Sequence, residues 1–295
     1  MKTKQTKKTS ALMIILFLIL IIYMVSLALP LVWGVLTSFK GQYELRNNMF
    51  GLPKSWKWSN YAGVFNDFRV LVTHVGKDQY YVYIEKMLLY SIIYSLGCAV
   101  VQAMVTCLMA YITAKFRHFF FSKIIYSTVL IVMMLPIVGS LPAELALAQT
   151  LGIYDTLWGM MVFKFNFLGM YFLVFHATFR GIPKDFSDAA YIDGASEWMV
   201  MLKIVLPMVR NTLSIVILLN FIGYWNDYQT PMLYMPSYPT MSYGLYRFSQ
   251  TTEQANTNVP MQLTACMWVM IPVLIIFLIF RNKLIGNISM GGLKE

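Results

Sequence analysis

Long apolar stretches alternate with short polar links along this chain, and most of the charged residues lie in the links. A helix needs about 20 apolar residues to cross the hydrocarbon core of a bilayer. The pattern therefore predicts an all-α integral membrane fold of six transmembrane helices, with residues 1–295 as a single transmembrane domain. Pro136 makes the third helix a candidate for a kink. The helices are expected at about Ala11–Trp33, Met87–Thr113, Phe119–Leu141, Thr156–Phe179, Thr212–Tyr234 and Pro260–Phe280.

The composition supports a membrane protein and argues against a nucleic-acid-binding one. Hydrophobic residues make up 58% of the chain and charged residues only 12%, whereas soluble domains have about 25% charged residues. The net charge is +10, but no basic stripe with interleaved aromatic residues occurs outside the spans. Lysines and arginines that collect in cytoplasmic loops explain this charge instead. No pair of cysteines has the spacing of a zinc site, so no metal is predicted.

The distribution of basic residues orients the predicted helices. Lysines and arginines are concentrated before helix one, between helices two and three, between helices four and five, and after helix six. The link between helices three and four contains neither residue. The positive-inside rule therefore places both termini in the cytoplasm. Loop 34–86 then lies outside the membrane, where its aromatic, turn-rich sequence favours an ordered cap, and loop 181–210 lies in the cytoplasm.

Loop 181–210 has the pattern of two short helices joined by a glycine turn. Pro183 suits a helix start, and acidic residues just after it suit the positive end of a helix dipole. Gly194 is expected to break this helix, because glycine tolerates turn conformations. Apolar residues at helical spacing then predict an amphipathic helix that Pro207 ends. The stripe consists of Trp198, Met201, Leu202, Val205 and Leu206.

The charge of this loop decides between two roles. A helix that merely anchors the loop to the membrane surface would need a basic polar face. The first half of the loop is instead acidic and small, and an anionic inner leaflet would repel it. A protein partner with a basic, concave surface therefore suits the loop better.

The same residues resemble the EAA loop of ABC importer permeases, which reads roughly E-A-A-x-x-D-G-A and later I-x-L-P. In such importers this loop docks into a cleft on the ATPase subunit. The resemblance implies that Asp188 pairs with a basic ATPase residue, that Gly194 forms the turn and that Met201 takes the place of an aromatic plug. Asp188 and Met201 depart from the usual Glu and Phe. The implied ATPase-coupling residues are Asp188, Ala189, Ala190, Asp193, Gly194, Ala195, Trp198, Met201 and Pro207.

Further segments resemble the carbohydrate-importing permeases, similar to the smaller membrane subunit of the maltose transporter. The stretch "YWNDYQTPMLY" (224–234) resembles their W-N-D segment in span five, and 281–295 resembles their glycine-rich tail. The resemblance implies a multi-pass permease of a bacterial-type cell membrane that moves a carbohydrate, with an oligosaccharide favoured, by alternating access. Its partners would be a second, non-identical permease, two ATPase subunits and an extracytoplasmic solute-binding protein.

The chain has no G-x-x-x-x-G-K-[ST] motif, so no ATPase site of its own is predicted. ATP with Mg²⁺ would bind to the partner ATPase, and this chain would hold no cofactor.

Polar side chains inside the predicted spans are candidates for the solute path, because such groups are costly in lipid. Lys164 would lie roughly 12 Å from the outer end of helix four at 1.5 Å per residue. It either snorkels outward or faces a wet cavity beside Asn166. The polar groups of helix five either bind solute or hydrogen-bond to neighbouring helices. The predicted path comprises Glu144, Lys164, Asn166, Asn220, Tyr224, Asn226 and Asp227.

Two other classes of function compete with the importer permease. An ion-coupled secondary transporter or channel would use Lys164, Asp227 and Glu144 as relay groups and would be supported by internal repeats. No convincing second copy of any segment is present. A membrane enzyme would need a catalytic constellation, and none emerges from the sequence. The importer permease, without catalytic residues, is therefore the preferred prediction.

Overall fold

Helices form most of the secondary structure in the computed structural model, which describes residues 11–73, 79–135, 139–250 and 258–290, with side chains except at 11 and 281–290. The candidate kink at Pro136 and the last residues of the glycine-rich tail, 291–295, lie outside these ranges. A five-residue π-helical turn, Met201–Val205, separates α10 from α11. The elements in chain order are α1 (Ala11–Ser38), α2 (Gln42–Asn47), α3 (Ser59–Asp67), β1 (Arg69–Thr73), β2 (Gln79–Tyr83), α4 (Ile84–Lys115), α5 (Phe120–Met134), α6 (Leu141–Thr150), α7 (Leu157–Phe163), α8 (Met170–Arg180), α9 (Asp185–Ile192), α10 (Glu197–Val200), α11 (Leu206–Met208), α12 (Arg210–Asn226), α13 (Gln229–Tyr234), α14 (Met241–Gln250) and α15 (Val259–Met290).

An antiparallel β-hairpin in loop 34–86 corrects the all-α prediction. Strands β1 and β2 pair from Arg69 opposite Tyr83 to Thr73 opposite Gln79. Alternate valines of the hairpin, including Val70 and Val82, are buried, which is the two-residue period of a strand. The β-branched and aromatic residues of this segment suit a pleated surface. The hairpin therefore reflects a local pattern that the search for helices overlooked.

Three helical segments of the described chain are long and apolar enough to cross a membrane: Leu12–Ser38, Ile84–Lys115 and Val259–Phe280. A fourth candidate is a bent pair, Glu197–Met208 with Arg210–Asn226, whose two parts meet at 74°. The structure thus confirms the helical membrane class of the fold.

The other predicted helices are shorter than expected or interrupted, and each break has a local cause. Helix α5 ends at Met134 because the residue before a proline disfavours the α conformation. The predicted helix Thr156–Phe179 is broken between α7 and α8, where the Asn166 side chain accepts the Leu168 N–H and forms a turn. The predicted helix Thr212–Tyr234 is broken after Asn226, because Pro231 has no N–H to continue the ladder.

Packing divides the chain into two compact units, Met1–Asp67 with Phe248–Trp268 and Phe68–Arg247 with Val269–Glu295. In the first unit, the end of α1 is tied to the segment that follows it. The Ser38 carbonyl accepts hydrogen bonds from Asn60 and Thr264. Lys40 is buried, and its ammonium donates to two main-chain carbonyls. The first part of loop 34–86 is therefore held by specific hydrogen bonds.

Helix α4 is the centre of the second unit and packs against α5, α7, α8 and α12. Small buried residues at helical spacing, Ala103, Cys107 and Ala110, form one face of α4. The buried rings of Phe172 and Phe175 on α8 pack in the same core. Small residues allow α4 and α8 to approach closely while the rings fill the space between them. Helix α4 thus links the two regions described next.

Candidate functional site

The first helix of loop 181–210 ends in a Schellman turn. Gly194 has φ +81°, a left-handed conformation that glycine adopts without strain. Its N–H donates to the Tyr191 carbonyl, and the Ala195 N–H donates to the Ala190 carbonyl. These two bonds satisfy carbonyls that the helix end would leave unpaired. The predicted glycine turn is therefore present.

The second helix of the loop begins at Glu197 and contains a wide turn. The Ser196 hydroxyl accepts the Met199 N–H and caps its start. In the π-helical turn, the Leu206 N–H donates to the Met201 carbonyl, five residues back. The prediction that Pro207 ends this helix is wrong, since the helical turns continue to Met208. The wide turn accommodates the missing N–H of proline before the chain bends into α12.

One face of the loop is part of the protein core. Ala190, Val200 and Val205 are buried in a cluster that also contains residues of α4, α5 and α8. All five residues of the predicted apolar stripe line one groove of about 200 Å³ together with α4 residues, as expected for a stripe that joins the loop to the spans. The loop is therefore a packed element and not an unattached linker.

A polar cluster at the end of α4 also holds the loop. The Lys115 ammonium donates hydrogen bonds to Tyr111, Tyr191 and Glu197 and forms an ion pair with Glu197. The Tyr191 hydroxyl donates to the same carboxylate at 2.9 Å. The hydrogen bond from Lys115 holds the pKa of the Glu197 carboxyl below its ordinary value. Sequence analysis missed this cluster because Tyr191 and Glu197 are 76 and 82 residues from Lys115 along the chain.

The nine predicted coupling residues divide by exposure. Ala190 is buried, and Ala195 and Met201 are half-buried against the core. The remaining residues are exposed: Asp188, Ala189, Asp193, Gly194, Trp198 and Pro207. Ile192, which the prediction did not include, is the most exposed large apolar residue of α9 at 87%. The loop thus presents an acidic and apolar outer face on a buried base.

A second candidate region is a polar cavity of about 250 Å³ formed by α6, α7 and α13. Glu144 and Lys164 line it, and the Tyr234 hydroxyl donates to the Glu144 carboxylate at 2.9 Å. Lys164 was predicted to lie inside a long helix. It is instead the C-terminal cap of the short helix α7. The cavity also has two uncharged polar side chains, Gln229 and Thr230. Its lining therefore combines a cation, a carboxylate, an amide, a hydroxyl and aromatic rings.

Polar contacts connect this cavity to α4. The Lys164 ammonium lies 5.2 Å from the centre of the Tyr224 ring. The Tyr224 hydroxyl donates to Gln102 at 2.7 Å, and the Tyr94 hydroxyl donates to Asp227 at 3.1 Å. The structure thus brings Glu144, Lys164, Tyr224 and Asp227 into one region.

Three residues of the predicted solute path do not join the cavity. Asn166 is exposed and forms a turn with Leu168. Asn226 is exposed, and its amide donates to the Ile222 carbonyl of its own helix. Asn220 is buried in α12, and its amide nitrogen has no hydrogen-bond partner among the described residues. None of these three side chains lines the cavity, and their place on the solute path stays a prediction.

Five polar residues of this region were missed by sequence analysis: Tyr94, Gln102, Gln229, Thr230 and Tyr234. A signal for two of them exists in the sequence. Tyr94 and Gln102 are eight residues apart on α4 and contact Asp227 and Tyr224 respectively, and residues eight apart on a helix share one face. A polar face within an apolar helix is the feature that marks them.

Comparisons with known proteins find relatives that are named as permeases. The chain is 26% identical over 280 residues to the diacetylchitobiose uptake system permease protein NgcG of Streptomyces coelicolor, with 92% of this chain and 86% of the relative covered. It is 26% identical over 271 residues to the arabinooligosaccharides transport system permease protein AraQ of Bacillus subtilis, with 90% of each chain covered. It is 25% identical over 286 residues to the galactooligosaccharides permease GanQ of the same organism, with 94% of each covered.

A solved structure has the same fold. It is a chain of a bacterial ABC transporter involved in the import of the acidic polysaccharide alginate, with a TM-score of 0.76, 19% identity, and 95% of this chain and 99% of that chain covered. The sequence model described as the binding-protein-dependent transport system inner membrane component matches residues 106–288, more than half of the chain. The chain therefore belongs to the family of inner membrane components of binding-protein-dependent transport systems.

Proposed function

We propose that this chain is the permease subunit of an ABC importer that moves an oligosaccharide across a bacterial-type cell membrane. Family membership carries the importer assignment. The carbohydrate class is supported by relatives named for the uptake or transport of diacetylchitobiose, arabinooligosaccharides and galactooligosaccharides. The polar cavity has the amide, carboxylate and aromatic groups that hold a polyhydroxylated solute.

The proposed topology has six spans and both termini in the cytoplasm. The three long apolar helices and α12, the second part of the bent pair, supply four of the spans. The other two are α5 and the interrupted pair α7 and α8. Spans with such short helices are possible, because irregular backbone is tolerated in a membrane protein where it lines a cavity. The basic residues before α1 and between the spans support this orientation. Loop 34–86 would then face outside, and loop 181–210 the cytoplasm.

The proposed partners are a second, non-identical permease, two ATPase subunits and an extracytoplasmic solute-binding protein. ATP with Mg²⁺ would bind to the ATPase subunits, because this chain has no P-loop motif. The outer face of loop 181–210 would dock on an ATPase subunit, with Asp188 and Asp193 opposite basic residues. Ala189 has a side chain small enough to allow close approach.

Helix α4 provides the proposed route from the ATPase to the solute. Its end at Lys115 is tied to the loop, and its residues Tyr94 and Gln102 contact the polar region. At 1.5 Å per residue, Lys115 is about 30 Å from Tyr94 and about 20 Å from Gln102, distances over which a continuous helix acts as a rigid lever. A displacement of the docked loop would therefore shift the Tyr94 and Gln102 contacts of the polar region.

Co-purification with the candidate ATPase tests the docking role. Asp193→Lys reverses a charge on the outer face, and Gly194→Pro is incompatible with the left-handed turn. Both changes are expected to abolish co-purification. Gly152→Pro is the matched control, because Gly152 also has a positive φ, +68°, and lies outside the loop. Retained ATPase binding in both loop variants, or equal loss in the control, would contradict the proposal.

The solute class needs a separate measurement. Binding of the purified solute-binding protein to a panel of oligosaccharides is expected to identify at least one ligand. Binding only to solutes other than carbohydrates would refute the carbohydrate assignment and leave the importer assignment intact.

A further inference from the structure

A basic cleft lies where loop 181–210 meets the ends of α4 and α8. Its volume is about 280 Å³, and cationic side chains dominate its polar lining. The cations are Lys115, Arg117, Arg180 and Lys184, and the carboxylate that lines the cleft belongs to Asp188. The cleft therefore has an excess of three positive charges.

Three of these cations are available to a ligand. Lys115 is already paired with Glu197. Arg117, Arg180 and Lys184 are exposed, and within the described chain none of them forms an ion pair. Cations in one cleft repel each other, so an anion that enters it is attracted by all three. From the described residues the cleft receives one carboxylate, Asp188, which forms no ion pair with any of the three.

The apolar groove described above lies next to the basic cleft. Tyr111, Phe179 and Val205 line both, so these side chains form the boundary between the two. The groove has an almost wholly apolar lining, which includes Leu108 of α4 and Leu202 of the loop. A ligand that fills both spaces has an anionic group joined to a hydrocarbon chain.

We propose that the cleft and the groove together bind one anionic phospholipid, with its phosphate in the basic cleft and an acyl chain in the groove. Basic pockets between transmembrane helices on the cytoplasmic side suit such head groups. The assignment to the cytoplasmic leaflet rests on the proposed topology. The lipid would connect Arg117, after α4, with Arg180 and Lys184, which flank the start of the loop, and would so hold the loop against the bundle.

The full chain, purified in detergent, tests this inference by native mass spectrometry with added lipid. Dioleoyl phosphatidylglycerol is expected to bind, and dioleoyl phosphatidylcholine, which has no net charge, is expected to bind far more weakly. Glycerol 3-phosphate serves as the head group without acyl chains and is expected not to compete at equal concentration. Competition by glycerol 3-phosphate as strong as that by the lipid would show a soluble-phosphate site and overturn the proposal.

Two sets of variants locate the site. Arg180→Gln with Lys184→Gln is expected to weaken phosphatidylglycerol binding roughly 25-fold, about fivefold per cation. Arg180→Lys with Lys184→Arg keeps the charges and is expected to retain binding, which separates charge from folding. Lys123→Gln with Lys203→Gln is the matched control, because both lysines are exposed and line neither space.

The groove is tested by chain length. Leu202→Ser is expected to weaken binding of the dioleoyl lipid but not of dihexanoyl phosphatidylglycerol, whose short chains fill little of the groove. Equal binding of the dioleoyl lipid by the doubly neutralised variant and the unaltered chain, or equal loss in the lysine control, would refute the site. A chain that binds this lipid but no ATPase would contradict the proposed function alone.

Discussion

Loop 181–210 and the polar cavity lie in the same compact unit but are built in opposite ways. The loop is one continuous segment whose helix start, glycine turn and apolar stripe are all encoded within it. The cavity is assembled from α6, α7 and α13, with further contacts from α4. Local signals therefore predict the loop, whereas long-range packing determines the cavity.

The position of polar residues differs between the two regions in an instructive way. In the loop, the exposed carboxylates of Asp188 and Glu197 lie within short helices, and Asp193 caps the end of α9. In the polar region, Lys164 caps the end of α7 and Asp227 caps the end of α12. The carboxylate of Asp227 also accepts the Thr230 N–H at the start of α13. In the polar region, a polar residue within a long apolar stretch thus marks the end of a helix. Such a residue both caps the helix and contributes a polar side chain to the region.

The largest expected effect would show that the base of the loop belongs to the core. Val200→Asp places a carboxylate at a fully buried position and is expected to cost about 4 kcal/mol. The measurement is the apparent unfolding temperature and the monodisperse yield in detergent. Met199→Asp, at the neighbouring position, which is 44% exposed and lines neither the groove nor the cleft, is the control and is expected to fold. Equal behaviour of the two variants would remove the distinction between a buried base and a free outer face.

The next effect concerns the solute cavity. Lys164→Ala is expected to lower solute uptake roughly tenfold or more, because a charged hydrogen bond to the solute is lost. Assembly with the partner subunits is expected to persist, since Lys164 forms no ion pair with any described residue. Lys123→Ala, at an exposed position of α5 outside the loop and the cavity, is the control. Unchanged uptake in Lys164→Ala would assign Lys164 to snorkelling instead.

A smaller effect is expected where α4 contacts the polar region. Tyr94→Phe removes the hydroxyl that donates to Asp227 and is expected to destabilise the chain by about 1–2 kcal/mol. Thermal unfolding in detergent measures this change. In the double variant Tyr94→Phe with Asp227→Asn, the two losses are expected not to add, because they remove one shared hydrogen bond. Additive losses would show that the two groups act independently.

The smallest effect is a pH dependence at the base of the loop. The pKa of Glu197 is lowered in the folded chain, so its contribution to stability is present above the unfolded pKa of about 4.3 and is lost as pH falls through the lower folded value. The contribution is expected to be below about 1 kcal/mol, because the carboxylate is largely exposed to solvent. Unfolding temperatures between about pH 6 and pH 3 measure it. Glu197→Gln is expected to flatten this part of the profile, and an unchanged profile would exclude Glu197 as its source.

Much of the loop could be predicted from its sequence. The positive φ of Gly194 follows from glycine at the end of a short acidic helix, and the stripe follows from helical spacing. The position of Pro207 was misjudged, because a proline usually ends a helix and no sequence signal indicated the wide turn before it. The attachment of Glu197 to Lys115 could not be predicted, since no local pattern joins residues 82 positions apart.

Less of the cavity could be predicted. Lys164, Glu144, Tyr224 and Asp227 were found because charged and polar groups are rare in apolar stretches. Treatment of the fourth and fifth predicted helices as continuous led to the wrong placement of Asn166 and Asn226. The sequence contains one local signal for each break: Asn166, whose side chain forms a turn, and Pro231, which has no N–H for the helix. The hydrophobicity of the two stretches outweighed these signals in the prediction. The ion-coupled alternative could be set aside only through the family match.

The wide turn at Met201–Val205 has a consequence for the length of the chain. A turn in which the N–H reaches back five residues contains one residue more than an α-helical turn, and each residue advances a helix by about 100° and 1.5 Å. Removal of one residue from this turn would rotate α11 and the start of α12 by that angle relative to α10. The extra residue thus sets the register between the docking helices and the span that follows, and a single-residue insertion or deletion in this turn would misalign the two.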